Sequence, residues 1–310
     1  MPAHACAIMR SDMDNEHSRT AADSLARQVE HGITTTYRKT IWRYFISALK
    51  QYQLLSEDDR VAVCVSGGKD SFVLAKCMQL LQRYSPMGFE LCFLSMDPGF
   101  APEKRVAMER TAEALEVPLE FFDTDIYQSI EEAKTSPCHV CAAMRRGHLY
   151  KQAQLRGCNK IALGHHYDDV IQTTLMGLLY GGEFKTMMPK LRSRNYPGME
   201  LIRPLYLVRE QAIINLAQRY DLQAMRCACR VTRQEGGGGR SQVKALIEQL
   251  KTLNPDVEGS IFSAAEKVSL GAVLGWRVRD EGPFTSFLEA YDAPDPGNEG
   301  RKGANMQDNP

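Results

Sequence analysis

Residues 61–71 read VAVCVSGGKDS. Five apolar residues run without a break and stop at a Ser-Gly-Gly-Lys-Asp-Ser turn. A short apolar run of this kind predicts a strand buried on both faces, as in a parallel sheet. The spacing after it predicts a helix over Asp70–Arg83. Gly67 and Gly68 let backbone approach an anion, and free N–H groups at the helix start point at it. Lys69 adds a positive charge, and Ser66 and Ser71 add hydroxyls. A Walker A loop would carry Ser or Thr after the lysine; Asp70 stands there instead. The plainer alternative is an ordinary strand–helix turn with Asp70 near the helix start.

Working outward, strands and helices alternate. Strands are expected at Phe89–Met96, Leu119–Phe122 and Lys160–Leu163, with a short fifth at Leu201–Ile202. Helices are expected over Glu103–Leu115, Ala142–Leu155 and Asp168–Tyr180, and an amphipathic helix precedes the first strand around Ile41–Leu49. This order predicts an α/β fold, a parallel sheet with helices on both faces. Ligand loops of such sheets follow the carboxyl ends of strands. After Leu207 the pattern is helical, over Arg209–Tyr220, Gln242–Leu253 and Ile261–Val268, with a flexible Gly-rich loop at Gln234–Arg240. The expected organisation is a disordered extension at 1–32, an α/β domain with its preceding helix at 33–207, a small helical C-terminal part at 208–290 and a disordered tail at 291–310.

The 310 residues carry 38 basic and 38 acidic side chains, so any nucleic-acid surface must be local. The first thirty residues lack an apolar targeting core, and no apolar run is long enough for a membrane span. A cytoplasmic protein without a membrane partner is expected. Nine cysteines in a chain of this size argue against a disulfide framework. Cys64, Cys77 and Cys92 fall in apolar segments and read as small core residues; Cys6 and Cys158 are isolated. Cys138-His-Val-Cys141 and Cys227-Ala-Cys229 are spaced as pairs and suggest a metal or redox site. Iron–sulfur ligation, a zinc site and a redox disulfide all remain open from spacing alone.

Leu163-Gly-His-His-Tyr-Asp-Asp169 follows the fourth strand. Asp168 and Asp169 are able to serve as helix-start carboxylates. Alternatively, they hold Mg²⁺ on a nucleotide, with Gly164, His165 and His166 beside the phosphates.

SGGKDS resembles the loop of PP-loop ATP pyrophosphatases (adenine nucleotide alpha hydrolase-like), which split ATP between its α- and β-phosphates. The C-x-x-C after the third strand, MRRGHLY at 144–150, LGHHYDDVIQTT at 163–174, LIRPLYLVRE at 201–210 and the late cysteines extend the likeness. Over about 38–270 the chain resembles the tRNA 2-thiocytidine synthetase family (TtcA). The resemblance implies an ATP- and Mg²⁺-dependent tRNA thiolase that forms 2-thiocytidine at tRNA position 32. It implies a [4Fe-4S] cluster on three cysteines, sulfur supplied from a cysteine desulfurase, and allows a homodimer. Carried over by residue, Ser66, Gly67, Gly68, Lys69, Asp70 and Ser71 form the ATP loop, with Gly164, Asp168 and Asp169 across from it. Lys69 and Asp70 carry the catalytic roles, charge stabilisation and Mg²⁺ binding. Cys138 and Cys141 are two cluster ligands. The family's late C-x-x-C is C-x-C here, so Cys227 is the first choice for the third ligand and Cys229 the alternative. Thiolation of another tRNA base, or a zinc-stabilised nucleotide-binding protein, are the rival readings.

Between Lys185 and Arg230, nine Lys/Arg stand against three Asp/Glu, with Tyr196 and Tyr206 interleaved. This stretch is the expected tRNA surface, its tyrosines stacking on bases; a solvated surface is the plainer alternative.

Overall fold

The computed structural model describes residues 24–124, 137–222, 239–278 and 282–291, with 137–143 and 290 by backbone alone. In chain order the elements are α1 (Leu25–Thr34), a π-helical turn (Arg38–Trp42), α2 (Arg43–Gln51), β1 (Arg60–Cys64), α3 (Lys69–Tyr84), β2 (Glu90–Asp97), α4 (Pro102–Ala114) and β3 (Leu119–Asp123). These are followed by α5 (Pro137–Leu155), β4 (Lys160–Ala162), α6 (Tyr167–Tyr180), β5 (Lys190–Arg192), β6 (Glu200–Ile202), α7 (Glu210–Arg219) and α8 (Gly239–Leu253). Last come α9 (Val257–Ala264), β7 (Gly275–Arg277), β8 (Phe284–Ser286) and α10 (Phe287–Tyr291).

The six-stranded sheet has the order β3-β2-β1-β4-β6-β5. Every neighbouring pair is parallel except β5 with β6, which the three-residue β5 closes as an antiparallel edge. The α/β parallel-sheet fold expected from the sequence is the fold observed. β1 lies between β2 and β4, so the chain leaves β1 in one direction and returns on its other side. That arrangement is a topological switch point, and a crevice opens where the two following loops diverge.

Side chains along β1 alternate between two cores, as a strand requires. Val61 and Val63 join Phe72, Val73, Leu74 and Phe45 on one face. Ala62 and Cys64 join Leu94, Tyr150, Ile161 and Leu201 on the other. Cys64 and Cys77 are buried as expected, and burial pushes the Cys64 thiol up to about 12. Cys158 is less isolated than its sequence position suggests, because its Sγ lies 3.3 Å from Cys92 Sγ.

Several expectations are corrected. The folded chain starts before residue 33. Ser24 caps α1 by accepting from Arg27 N–H, and Ala26, Val29 and Ile33 form its buried face. Residues 1–23 lie outside the described residues, as do 223–238 and 292–310, with most of the Gly-rich loop and the polar tail. Cys138 and Cys141 sit on the backbone of α5 rather than on a loop before it. Across 207/208, α7 packs on α3, and α8 on α6. The compact units divide between Glu258 and Gly259. The second unit is not purely helical, since β7 and β8 pair as an antiparallel hairpin with Trp276 opposite Thr285.

Candidate active site

The loop after β1 is closed by Ser71. Its Oγ accepts from Ser66 N–H (3.1 Å) and donates to the Gly68 carbonyl (2.8 Å). Ser71 therefore holds the loop shut and is not a free donor to a ligand. Gly67 adopts φ +81°, a left-handed conformation that favours glycine. Gly68 precedes α3 and supplies no side-chain cap. The first N–H groups of α3 are thus left for an anion.

The strand β4 brings the second loop against the first. A Cβ on Gly164 would stand 3.1 Å from the Asp70 carbonyl carbon and 3.2 Å from Ser71 N. Only a glycine permits this approach without displacing backbone. His166 takes the N-cap position of α6, and its N–H donates to Asp169 Oδ2 (3.1 Å). The helix begins at Tyr167, one residue before the expected Asp168.

Asp168 does something else. Its Oδ2 accepts from Glu210 N–H (2.7 Å) and its Oδ1 pairs with Arg209 (3.3 Å), so it caps α7 from a distant part of the chain. Asp169 Oδ1 pairs with Arg240 of α8 at 3.2 Å. Lys69 is clasped by Asp70 (3.0 Å) and by Glu210 (3.1 Å), and Lys244 holds the other oxygen of Glu210 at 2.7 Å. Burial works against both charges, yet the ion pairs outweigh it. The Lys69 ammonium is held above its ordinary range by the two carboxylates, and the Glu210 carboxyl is pulled down to about 2 by Lys244 and Lys69.

The buried His166 ring lies among three carboxylates, with Nε2 3.8 Å from Asp70 and 3.5 Å from Asp169, and Nδ1 3.8 Å from Asp168. Nδ1 is buried without a hydrogen-bond partner among the described residues. Next to it, His165 Nδ1 accepts from Arg203 Nε (3.3 Å). Burial and the Arg203 charge push the His165 imidazole down to about 4, so it is neutral at pH 7. Burial likewise lowers Arg203 to about 10, which leaves it charged.

The structure thus brings Ser66–Ser71, Gly164, Asp168 and Asp169 to one crevice. Among the described residues, no group of three His, Cys, Asp or Glu is arranged to hold a metal ion. Cys227 and Cys229 lie outside the described residues, and Cys138 and Cys141 are placed by backbone only. Sequence reasoning missed Glu210, Arg240 and Lys244 as parts of the site. Glu210 entered it only as a minor acid in a basic stretch.

Within that basic stretch several cations have acidic partners. Lys185 pairs with Glu183, Lys190 and Arg192 with Glu200, and Arg209 with Asp168 and Glu258; Arg203 is buried. Tyr206 is buried, with its hydroxyl donating to the Met187 carbonyl, and Tyr196 stacks on Tyr150 at 5.3 Å. The Tyr206 ring is thereby closed to a base, whereas Tyr196 is half-buried. Arg226 and Arg230 lie outside the described residues.

A glycine-rich loop at a switch point, feeding an uncapped helix with a lysine in its first turn, defines a nucleotide-binding domain of the PP-loop class. Residues 39–226 match the PP-loop domain family. The chain is 38% identical over 240 residues to the tRNA-cytidine(32) 2-sulfurtransferase of Alkalilimnicola ehrlichii, covering 75% of this chain and 74% of the relative. It is 36% identical over 230 residues to the enzyme of the same name from Anaeromyxobacter sp. (strain Fw109-5), covering 73% and 75%. The U34-tRNA thiolase NcsA from Methanococcus maripaludis, solved with its [4Fe-4S] cluster, shares the fold, with a TM-score of 0.58 at 22% identity over 72% of this chain and 76% of that one. The chain belongs to the tRNA-cytidine(32) 2-sulfurtransferase family and, with it, to the tRNA sulfurtransferases.

Proposed function

We propose that this enzyme replaces the C2 oxygen of cytidine 32 of tRNA by sulfur, using ATP. The observation that carries the reading is the uncapped start of α3 behind Gly67-Gly68, set at the switch point and covered by Gly164. The free N–H groups there, with Lys69, suit the β- and γ-phosphates, the part of ATP released as pyrophosphate. The cytidine oxygen attacks the α-phosphorus, and the bond to the β-phosphate oxygen breaks. The C2–O bond is then weakened by its AMP substituent. Incoming sulfur at the sulfide level (HS⁻, a persulfide donor having first been reduced by two electrons from a thiol) bonds to C2 and gives up its proton, and AMP leaves with the original oxygen. Asp70 and Asp168 are the carboxylates proposed for Mg²⁺. They offer hard oxygens but no complete ligand set, which suits an ion that arrives on the phosphates and takes only one or two protein carboxylates.

Cys138 and Cys141, with Cys227 or alternatively Cys229, are the residues proposed to hold a [4Fe-4S] cluster. Two observations suit that group. Cys138 and Cys141 occupy the first turns of α5, where the helix dipole favours thiolate. Arg145 of the same helix has a buried Nε without a partner among the described residues. Once bound, three thiolates would leave one iron open to carry sulfur. A cysteine desulfurase as sulfur source and a cytoplasmic setting belong to the same reading. Among the described residues, no helix is long and apolar enough to cross a membrane.

Anaerobic purification with iron, sulfide and zinc analysis tests the metal, and about four Fe per chain are expected. Nucleoside analysis of tRNA incubated with ATP and a sulfide source tests the product. A colourless protein holding one zinc, or sulfur on a uridine, would overturn the assignment.

A further inference from the structure

In the stretch expected to bind tRNA, Lys185, Lys190, Arg192 and Arg209 are ion-paired, Arg203 and Tyr206 are buried, and Tyr196 stacks on Tyr150. Unpaired positive charge lies instead on the π-turn and α2. Arg38, Lys39, Arg43 and Lys50 are all exposed. None makes an ion pair or hydrogen bond through its side chain with a described residue, unlike Lys69, Lys190, Arg209, Arg240 and Lys244. No Asp or Glu occurs in the sequence between Glu30 and Glu57. The four cations border an open groove of about 450 Å³ along one helical face. Trp42 is the aromatic residue in its wall, half-buried and stacked on Phe45 at 5.4 Å.

Position links this face to the site. The π-turn packs against α7, whose first residue, Glu210, grips Lys69. α7 has 10 residues, so it spans about 15 Å at 1.5 Å per residue. A bound polymer wider than a nucleotide would reach both the loop and the groove. Uncompensated cations along a groove, with one indole partly open, are the footprint of a nucleic-acid backbone with a stacking contact.

We propose that the groove on the π-turn and α2 is a docking surface for the tRNA substrate, with Arg38, Lys39, Arg43 and Lys50 on phosphates and Trp42 as the stacking ring. The inference rests on the tRNA reading above.

The chain has two tryptophans, so the full-length Trp276→Phe protein reports on Trp42 alone. Titration with unmodified tRNA transcript is expected to quench its emission. Replacing all four cations by Gln is expected to weaken tRNA binding about 100-fold at moderate salt and to flatten the slope of log affinity against log salt by about four, one per lost phosphate contact. ATP binding, measured in parallel, is expected to be unchanged and shows that the variant is folded. Should the quadruple variant fold poorly, Arg38→Gln with Lys39→Gln is expected to flatten the slope by about two. A wild-type protein that binds tRNA, paired with variants of unchanged affinity and slope, overturns the surface and spares the function. A wild-type protein that binds ATP but no tRNA overturns both. Preference for anionic lipid vesicles over tRNA also overturns the surface.

Discussion

Lys69 Nζ lies 3.1 Å from Glu210 Oε1, joining the first residue of α3 to the first residue of α7. The phosphate loop is thereby tied to a helix that follows the whole parallel sheet in sequence. The Glu210 carboxyl is held at about 2 despite its burial, by Lys244 and Lys69. A depressed carboxyl stabilises the fold fully above its unfolded value of about 4.3 and loses that contribution as pH falls through the folded value. Glu210→Gln is therefore expected to lower stability at pH 7 by about 2 kcal/mol, the scale of charged hydrogen bonds lost. The gap from wild type should close as pH drops from about 4.3 towards 2. Urea unfolding at a series of pH values measures it, and a gap that stays constant down to pH 2 would exclude this clasp.

Gly164→Ala probes the close approach of the two loops. The added Cβ would press on the Asp70 carbonyl and Ser71 N, which are backbone and yield only by moving the phosphate loop. A cost of about 1–3 kcal/mol is expected from overpacking, together with weaker ATP binding. Thermal unfolding and nucleotide titration report the two effects separately. An alanine variant with wild-type values for both would mean the loops have room that these distances deny.

His165 gives an opposite pH signature to a surface histidine. Burial first, and the Arg203 charge second, lower it to about 4. Between its unfolded value of about 6.5 and 4 the unfolded chain binds the extra proton, so stability falls as pH falls through that window. His165→Gln is expected to remove this slope, seen as a flatter Tm between pH 6.5 and 4. Arg203→Met is expected to move the imidazole pKa upward in an NMR titration. A pKa that does not respond would assign the shift to burial alone.

What the sequence disclosed follows the range of the forces involved. The strand, loop and helix at 61–84 are local, written in an apolar run, a glycine pair and helical spacing, and they were legible. The same holds for Gly164 and the helix start at 166–169. Glu210 was not legible, because nothing local distinguishes it from a solvated acid; its partners Lys69 and Lys244 come from α3 and α8. The basic stretch misled for the same reason. A count of charges does not show that Lys190 and Arg192 share Glu200, or that Arg203 is buried. The strand β5 has three residues and is defined by its pairing with β6, not by a pattern of its own.

The helix α1 tests this distinction directly, since residues 24–32 looked unstructured from sequence. Lys76 Nζ, with its side chain 1% exposed, lies 2.7 Å from Glu30 Oε1 and donates to the Leu115 carbonyl at 2.8 Å. Arg83 holds the other Glu30 oxygen at 2.7 Å. Burial raises the Glu30 carboxyl, but the two cations outweigh it and keep it ionised. Lys76→Met removes the buried cation that lies under α1 and leaves the Glu30 carboxylate to Arg83 alone. Leaving a buried charge wholly unpaired costs about 3–5 kcal/mol, and with Arg83 still on Glu30 the loss is expected below that range. Hydrogen exchange is expected to show α1 opening before the rest of the fold. Adding Glu30→Leu to Lys76→Met should recover part of the loss, because no charge then remains buried alone. If the single variant leaves α1 protected as in wild type, the helix is held by its apolar face, Ala26, Val29 and Ile33, and the ion pair is incidental.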